Sequence, residues 1–235
     1  MTTDINTTDL FKNVNIFHGL QDSELENLTT MVQTLRLKKD ALVFRQHDLG
    51  DSLYVVAEGR VKVSIQTEES DREMILSVFK VGDFFGEMSL IDGQPRSATA
   101  KTMEKTILLQ LRRTDFIAHL HQHPMTSLNI IAEMSARLRR SSDIISNLGL
   151  LDVYSRPARV LIEMAKTDGI EGEDATILIP QRPSQQDLAS MIGTSRETVS
   201  RMLAEFQQRG LLTTDGKSIL LSRGFVAENL CDQHS

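Results

Sequence analysis

Residues Val81 to Lys101 read VGDFFGEMSLIDGQPRSATAK, and the rest of the chain is organised around them. Gly82 and Gly86 bracket Phe84 and Phe85, so the backbone can turn there and come close to a bound group. Gly93, with Pro95 two residues on, marks a second turn. Arg96 and Ser97 follow, and the small residues from Ser97 to Ala100 suit a strand. A loop closed in this way presents backbone N–H groups, one guanidinium and one hydroxyl to the same small anion. Arg suits that task because its planar fork matches two phosphate oxygens. Glu87 does not belong in a pure anion site, but a carboxylate there accepts hydrogen bonds from sugar hydroxyls. An isolated Glu and Arg would read as a surface pair across a loop. Arg for a phosphate, Glu for a sugar and glycines for close approach together suggest a nucleotide of low charge.

The flanking sequence sets this stretch in a β-rich region. From Ala41 to Leu111 short runs such as LVF, SLYVVAEG, RVKVSIQ, EMILSVF and TILLQL alternate with glycines. Short strands at such spacing predict a sandwich or barrel. Before it, Leu10 to Leu35 reads as helical, with Ser23 and Glu26 at capping-box spacing. After it, Pro124 to Leu151 predicts one long helix. On it Ile131, Met134, Leu138, Ser141, Ile145, Leu148 and Asp152 step by three and four, a heptad seam interrupted by a serine. A second stripe, Ile130, Ile144 and Leu151, would pack the helix on its own β domain. Two stripes on one helix favour both contacts and predict a parallel dimer. Ser141 and Ser142 are polar where the seam should be apolar. They call for water, an opposite serine, or a ligand at the subunit boundary.

LDVYSRPARVLIEMAK restarts as a new helix with Pro157 in its first turn, and Thr167 to Ala175 reads as a polar loop. A domain boundary is placed at Asp152 to Ser155, dividing the chain into residues 1–123, 124–152 and 153–235. Residues 184–212 then have helix-turn-helix spacing. Ser184 and Asp187 open a helix buried through Leu188, Met191 and Ile192, and Gly193 makes the turn. Thr194 or Ser195 caps a second helix, with Val199, Met202, Leu203 and Phe206 on one side. Arg196, Glu197, Ser200 and Arg201 lie on the other, and these are groups that base edges accept. Asp215-Gly216 then predicts a hairpin, hence a winged helix.

Among 235 residues, 40% are hydrophobic and 25% charged, as in ordinary globular chains. The start of the chain shows no secretory signal and no run is apolar enough for a membrane helix, so a cytoplasmic protein is expected. The single cysteine excludes an internal disulfide and a cysteine-held iron–sulfur cluster. A net charge of −6 counts against nucleic acid as an average, but DNA binding needs only a local basic face. No Ser/His/acid set, metal-ligand spacing or P-loop appears, so no enzyme is expected.

Residues 10–222 resemble the family of the cyclic-AMP receptor protein and the FNR-type regulators. The strings that carry the resemblance are FGE…PRSA at 85–98, NLGLLDV at 147–153 and GTSRETVSRML at 193–203. It implies an α+β chain: an N-terminal β jelly-roll that binds a cyclic nucleotide, a long dimerisation helix and a C-terminal winged helix-turn-helix. By the resemblance Gly86 and Glu87 hold the ribose and Arg96 and Ser97 the cyclic phosphate, with Met88, Ser89 and Ala98 in the same site. Ser141 and Ser142 stand where the family has two hydroxyl residues that reach the adenine amino group. Arg196, Glu197 and Arg201 would read TGTGA-like half-sites. Arg182, Gln185, Ser195, Thr198, Ser200 and Lys217 complete the implied DNA surface. The implied effector is cyclic AMP, with cyclic GMP or cyclic di-GMP as alternatives; no metal or haem is expected, His18 and His47 reading as surface residues. The implied partners are double-stranded DNA, a second copy of the chain and RNA polymerase.

Overall fold

The computed structural model describes residues 6–66, 73–150 and 155–230. The chain forms two compact units, residues 1–141 and 142–235.

The first unit opens with α1 (Thr7–Lys12), a 3-10 turn at Asn15–Phe17 and α2 (Asp22–Met31). The helix expected to run to Leu35 stops at Met31. Its continuation is β1 (Val32–Leu37), which pairs antiparallel with β8 (Thr106–Arg112) from Val32↔Leu111 to Leu37↔Thr106. Six cross-strand partners override a local pattern that suits either element. The capping box is also displaced by two residues. Glu24 accepts from the Gln21 N–H at 2.6 Å, so Gln21 and Glu24 replace Ser23 and Glu26.

The strands β2 (Leu42–Phe44), β3 (Ser52–Glu58), β4 (Val61–Gln66), β5 (Glu73–Phe79), β6 (Phe84–Phe85) and β7 (Thr99–Thr102) complete two antiparallel sheets. Their orders are β1-β8-β3-β6 and β2-β7-β4-β5. Strand β3 shows how the layers are divided. Leu53 and Val55 point into a cluster with Phe11, Phe17, Leu25 and Leu28 of the helical cap. Tyr54 and Val56 point the other way, into a second cluster with Val61, Phe85 and Leu108. Both faces of β3 are therefore buried, which explains its continuous apolar run.

Between β6 and β7 lies α3 (Met88–Asp92), and after β8 come α4 (Arg113–Gln122) and α5 (Pro124–Leu150). On α5, Ile130 is buried and Met134 packs beside it against the helical cap. Met134, partly buried, thus packs on the chain's own core. Leu128, Ile131 and Leu138 are exposed at 57%, 61% and 69%, so the outward apolar stripe includes Ile131 and Leu138 of the expected seam and begins one turn before them. The side chains of Ile144, Ile145 and Leu148, and residues Leu151 to Tyr154 with the expected boundary at Asp152, lie outside the described residues.

The second unit contains α6 (Ser155–Asp168), β9 (Ile170–Glu171), β10 (Ile177–Ile179), α7 (Gln185–Ile192), α8 (Arg196–Gln208), β11 (Leu212–Asp215), β12 (Ser218–Leu221) and α9 (Arg223–Leu230). Its sheet order is β11-β12-β10-β9, and Leu161, Ile162, Leu188, Val199, Ile219 and Phe225 lie in one core. The polar loop expected at Thr167 to Ala175 contains β9, which pairs with β10 through Ile177↔Glu171. Two-residue strands leave too little alternation to read. No helix among the described residues is long and apolar enough to cross a membrane.

Candidate functional site

The central stretch folds into a closed cassette. Gly82, Gly86 and Gly93 take φ of 88, 84 and 71, a region that suits glycine. At Gly86 the reason is also steric, because a Cβ would stand 2.8 Å from Arg96 Nη1. Arg96 turns inward and is 3% exposed. Its Nη1 donates to the Gly86 carbonyl at 2.5 Å and its Nη2 to the Ser52 carbonyl at 2.6 Å. The guanidinium carbon lies 4.2 Å from the Phe44 ring centroid, a cation–π contact.

Glu87 is 1% exposed, and its Oε1 accepts from Arg137 Nη1 at 3.1 Å. Burial pushes the Glu87 carboxyl above its ordinary range, and the Arg137 and Arg96 charges pull it back. Burial likewise pushes the Arg96 guanidinium down, against Tyr54, Asp51 and Glu87. It stays protonated, since guanidinium does not lose its proton in proteins.

Two buried polar atoms here have no hydrogen-bond partner, Glu87 Oε2 and Arg96 Nε. Leaving such groups unmet is costly, about 1–3 kcal/mol each and more for charged groups. Glu87 and Arg96 both line one hollow in the cassette. A carboxylate able to accept from sugar hydroxyls and a guanidinium able to donate to phosphate, lining one hollow, fit a nucleotide. The structure brings together all seven cassette residues picked from sequence. Gly86, Glu87, Met88, Ser89, Arg96, Ser97 and Ala98 all line the hollow, with Ser97 exposed and Ser89 and Ala98 buried.

Ser141 and Ser142 do not line it. Ser141 is exposed and its hydroxyl donates to the Arg137 carbonyl at 3.0 Å; Ser142 is exposed as well. Within one chain the helix contributes Arg137 to the hollow, a residue the sequence did not reveal. Besides Glu87, Arg137 donates to the Phe84 carbonyl at 2.6 Å, and its guanidinium carbon sits 4.5 Å from the Phe84 ring centroid and 5.0 Å from that of Phe79. The available signal was its place one turn before Ser141 on the same helix. Glu133 four residues earlier made the bland reading, a surface ion pair, equally natural, and that contact exists too at 3.3 Å.

In the second unit, Ser184 caps α7, accepting from the Asp187 N–H at 3.1 Å. Gly193 turns at φ 75. Ser195, not Thr194, caps α8. It accepts from the Thr198 N–H at 3.2 Å, and the two hydroxyls lie 3.1 Å apart. The caps fix α8 so that Val199, Met202 and Leu203 are buried while Arg196, Glu197, Ser200 and Arg201 stay exposed. Hydrogen bonds from its own N–H and from Ser195 hold the Glu197 carboxyl below its ordinary range. Lys217 is exposed at the tip of the β11–β12 hairpin, and Gln185 begins α7. Arg182 is tied to the hairpin: its N–H donates to the Lys217 carbonyl at 2.7 Å and its Nη2 to the Gly216 carbonyl at 3.3 Å. His18 and His47 are exposed, and no cluster of metal-ligating side chains occurs among the described residues.

Residues 34–123 match the model of the cyclic nucleotide-binding domain, and residues 155–223 that of the Crp-like helix-turn-helix domain. A CRP-like cAMP-activated global transcriptional regulator of Mycobacterium tuberculosis is 29% identical over 214 residues, 91% of this chain and 95% of that protein. The cyclic AMP receptor protein of Thermus thermophilus is 33% identical over 197 residues, 84% of this chain and 87% of that one. Among solved structures, the c-di-GMP responsive global regulator of Xanthomonas campestris superposes with a TM-score of 0.72 at 28% identity, covering 86% of this chain and 99% of that one. With a cyclic nucleotide-binding domain followed by a Crp-like helix-turn-helix, the chain belongs to the family of transcription regulators that includes the cyclic-AMP receptor protein and the FNR-type proteins.

Proposed function

We propose that this chain is a homodimeric, DNA-binding transcription regulator gated by a cyclic mononucleotide, with cyclic AMP as the effector. The observation that carries the proposal is that Glu87 and Arg96, each with a buried polar atom that lacks a hydrogen-bond partner, line one hollow. A cyclic mononucleotide supplies a ribose hydroxyl for the first and a singly charged phosphate for the second. Ser97 at the rim supplies a further hydroxyl to the phosphate. Ser141 and Ser142, the first of them one helical turn beyond Arg137, take the base edge when the dimer closes.

Dimerisation runs through α5. Leu128 and Ile131 stand more than half exposed on a helix whose other side is buried, an arrangement that favours a second copy. In each copy Arg196, Glu197 and Arg201 read base edges of a TGTGA-like half-site. Ser195, Thr198, Ser200, Gln185 and Lys217 flank them along the DNA backbone, and Arg182 holds the hairpin that carries Lys217. RNA polymerase is the further partner such a regulator requires.

A second effector, cyclic di-GMP, is favoured by one observation, the 28% identity to a regulator that responds to it. The mononucleotide is preferred because Glu87, Arg96 and Ser97 are all present and converge on one hollow. Calorimetry with cyclic AMP, cyclic GMP and cyclic di-GMP tests this. Cyclic AMP is expected to bind at one site per chain and more tightly than the other two. Preferential binding of cyclic di-GMP, or no heat with any of the three, overturns the assignment.

A further inference from the structure

What fixes Arg96 lies outside the cassette. The turn from His47 to Ser52 holds it on four sides. The His47 N–H donates to the Arg96 carbonyl at 2.8 Å, and the Arg96 N–H donates to the Asp48 carbonyl at 2.8 Å. The Ser52 carbonyl accepts from Arg96 Nη2 at 2.6 Å. Gly50 closes the fourth side. A Cβ there would stand 2.5 Å from Ser89 Cβ, 2.8 Å from Ser89 Oγ and 2.9 Å from the Arg96 guanidinium carbon. Because Phe44 covers the guanidinium at 4.2 Å, Arg96 has little room to swing.

The turn is itself braced. The Asp48 carboxylate accepts from the Arg45 N–H at 2.7 Å, and the Thr99 hydroxyl accepts from the Gln46 N–H at 3.0 Å. His47 takes φ 71, a left-handed conformation that residues with a Cβ adopt at a cost. Yet its side chain is exposed. The position therefore contributes its backbone N–H, and the imidazole is incidental.

We infer that residues 47–52 are the positioning half of the ligand site. Through the His47 N–H, the Asp48 carbonyl and the missing Cβ at Gly50, they set where Arg96 stands in the lining of the hollow. The inference rests on the assignment of that hollow to a cyclic nucleotide. It makes His47 and Gly50 positioning residues, with a backbone requirement at one and a steric requirement at the other.

Four full-length variants test it by cyclic-AMP calorimetry and by the NMR resonance of the Arg96 Nε–H group, assigned by its loss in Arg96→Lys. Gly50→Ala is expected to weaken binding by about tenfold or more and to shift or broaden that resonance. Ser89 Cβ is fixed to the α3 backbone and cannot rotate away. His47→Gly should keep the affinity within about twofold, whereas His47→Val should lose about fivefold or more, since a β-branched residue resists positive φ. Leu49→Ser, at a tip 87% exposed, should change neither reading. Wild-type affinity with an unmoved resonance in Gly50→Ala overturns the inference, as does equal behaviour of His47→Gly and His47→Val. If Gly50→Ala does not fold, the His47 pair decides. If the wild-type protein binds no cyclic nucleotide, the ligand assignment fails separately. The resonance then still judges the turn, which stands as the clamp on Arg96 if Gly50→Ala moves the signal and falls if it does not.

Discussion

Replacing Arg96 by leucine is expected to lower cyclic-AMP affinity by about tenfold or more, a change of about 1.4 kcal/mol. Arg96 lines the hollow and carries a buried N–H without a hydrogen-bond partner, so its loss removes a charge-assisted donor for the proposed phosphate. The structure adds a second consequence. The Gly86 and Ser52 carbonyls both accept from this guanidinium, and each orphaned carbonyl costs about 1–3 kcal/mol. Affinity and stability should therefore fall together, and binding must be measured on samples whose fold is checked by circular dichroism. A folded Arg96→Leu protein with undiminished affinity would place the ligand elsewhere.

Arg137→Leu should produce the largest loss of stability. It leaves the Glu87 carboxylate buried without the cation that holds its charge, and breaking a buried pair from one side costs about 3–5 kcal/mol. The loss should depend on pH in a defined direction. Burial already raises the folded-state pKa of Glu87 above its ordinary 4.5, and Arg137 is the strongest influence pulling it down. Without Arg137 it rises further. A carboxyl with a raised folded pKa favours the folded state fully only below its unfolded value, and that contribution is lost as pH climbs through the folded value. Relative to wild type, the variant should therefore be destabilised less at about pH 5 than at about pH 7.5. Urea midpoints at the two pH values measure this. Adding Glu87→Gln should remove the difference by removing the charge. A penalty that is the same at both pH values would show that the two groups are not electrostatically coupled.

The cassette was legible because its chemistry is local. Glycines, the carboxylate and the guanidinium fall within one short stretch, and the fold closes them around one hollow. The helix caps and the hairpin of the second unit were legible for the same reason, although the choice of Ser195 over Thr194 needed the geometry of the N–H groups at the start of α8. Features that depend on distant partners were not. Val32 to Leu35 looks helical until its pairing with β8 is known. Met134 fits a heptad equally well whether it faces a second chain or its own helical cap. Arg137 reaches Glu87 across fifty residues of sequence, and nothing in either neighbourhood announces the other. The clamp on Arg96 was hidden more deeply still. Backbone groups make it, and they leave no mark on side-chain pattern beyond one glycine among thirteen.

In the proposed regulator, ligand would act on the DNA-reading helices only through its difference in affinity for two states of the proposed dimer. The most direct test is fluorescence anisotropy of a labelled duplex carrying two inverted TGTGA half-sites, titrated with the full-length protein at fixed salt with and without cyclic AMP. Cyclic AMP should tighten binding to this duplex by about 5–150-fold, the usual span of an allosteric coupling, and should leave binding to a scrambled duplex little changed. Equal affinity with and without cyclic AMP, or equal tightening on both duplexes, would contradict a cyclic-AMP-gated, sequence-reading regulator.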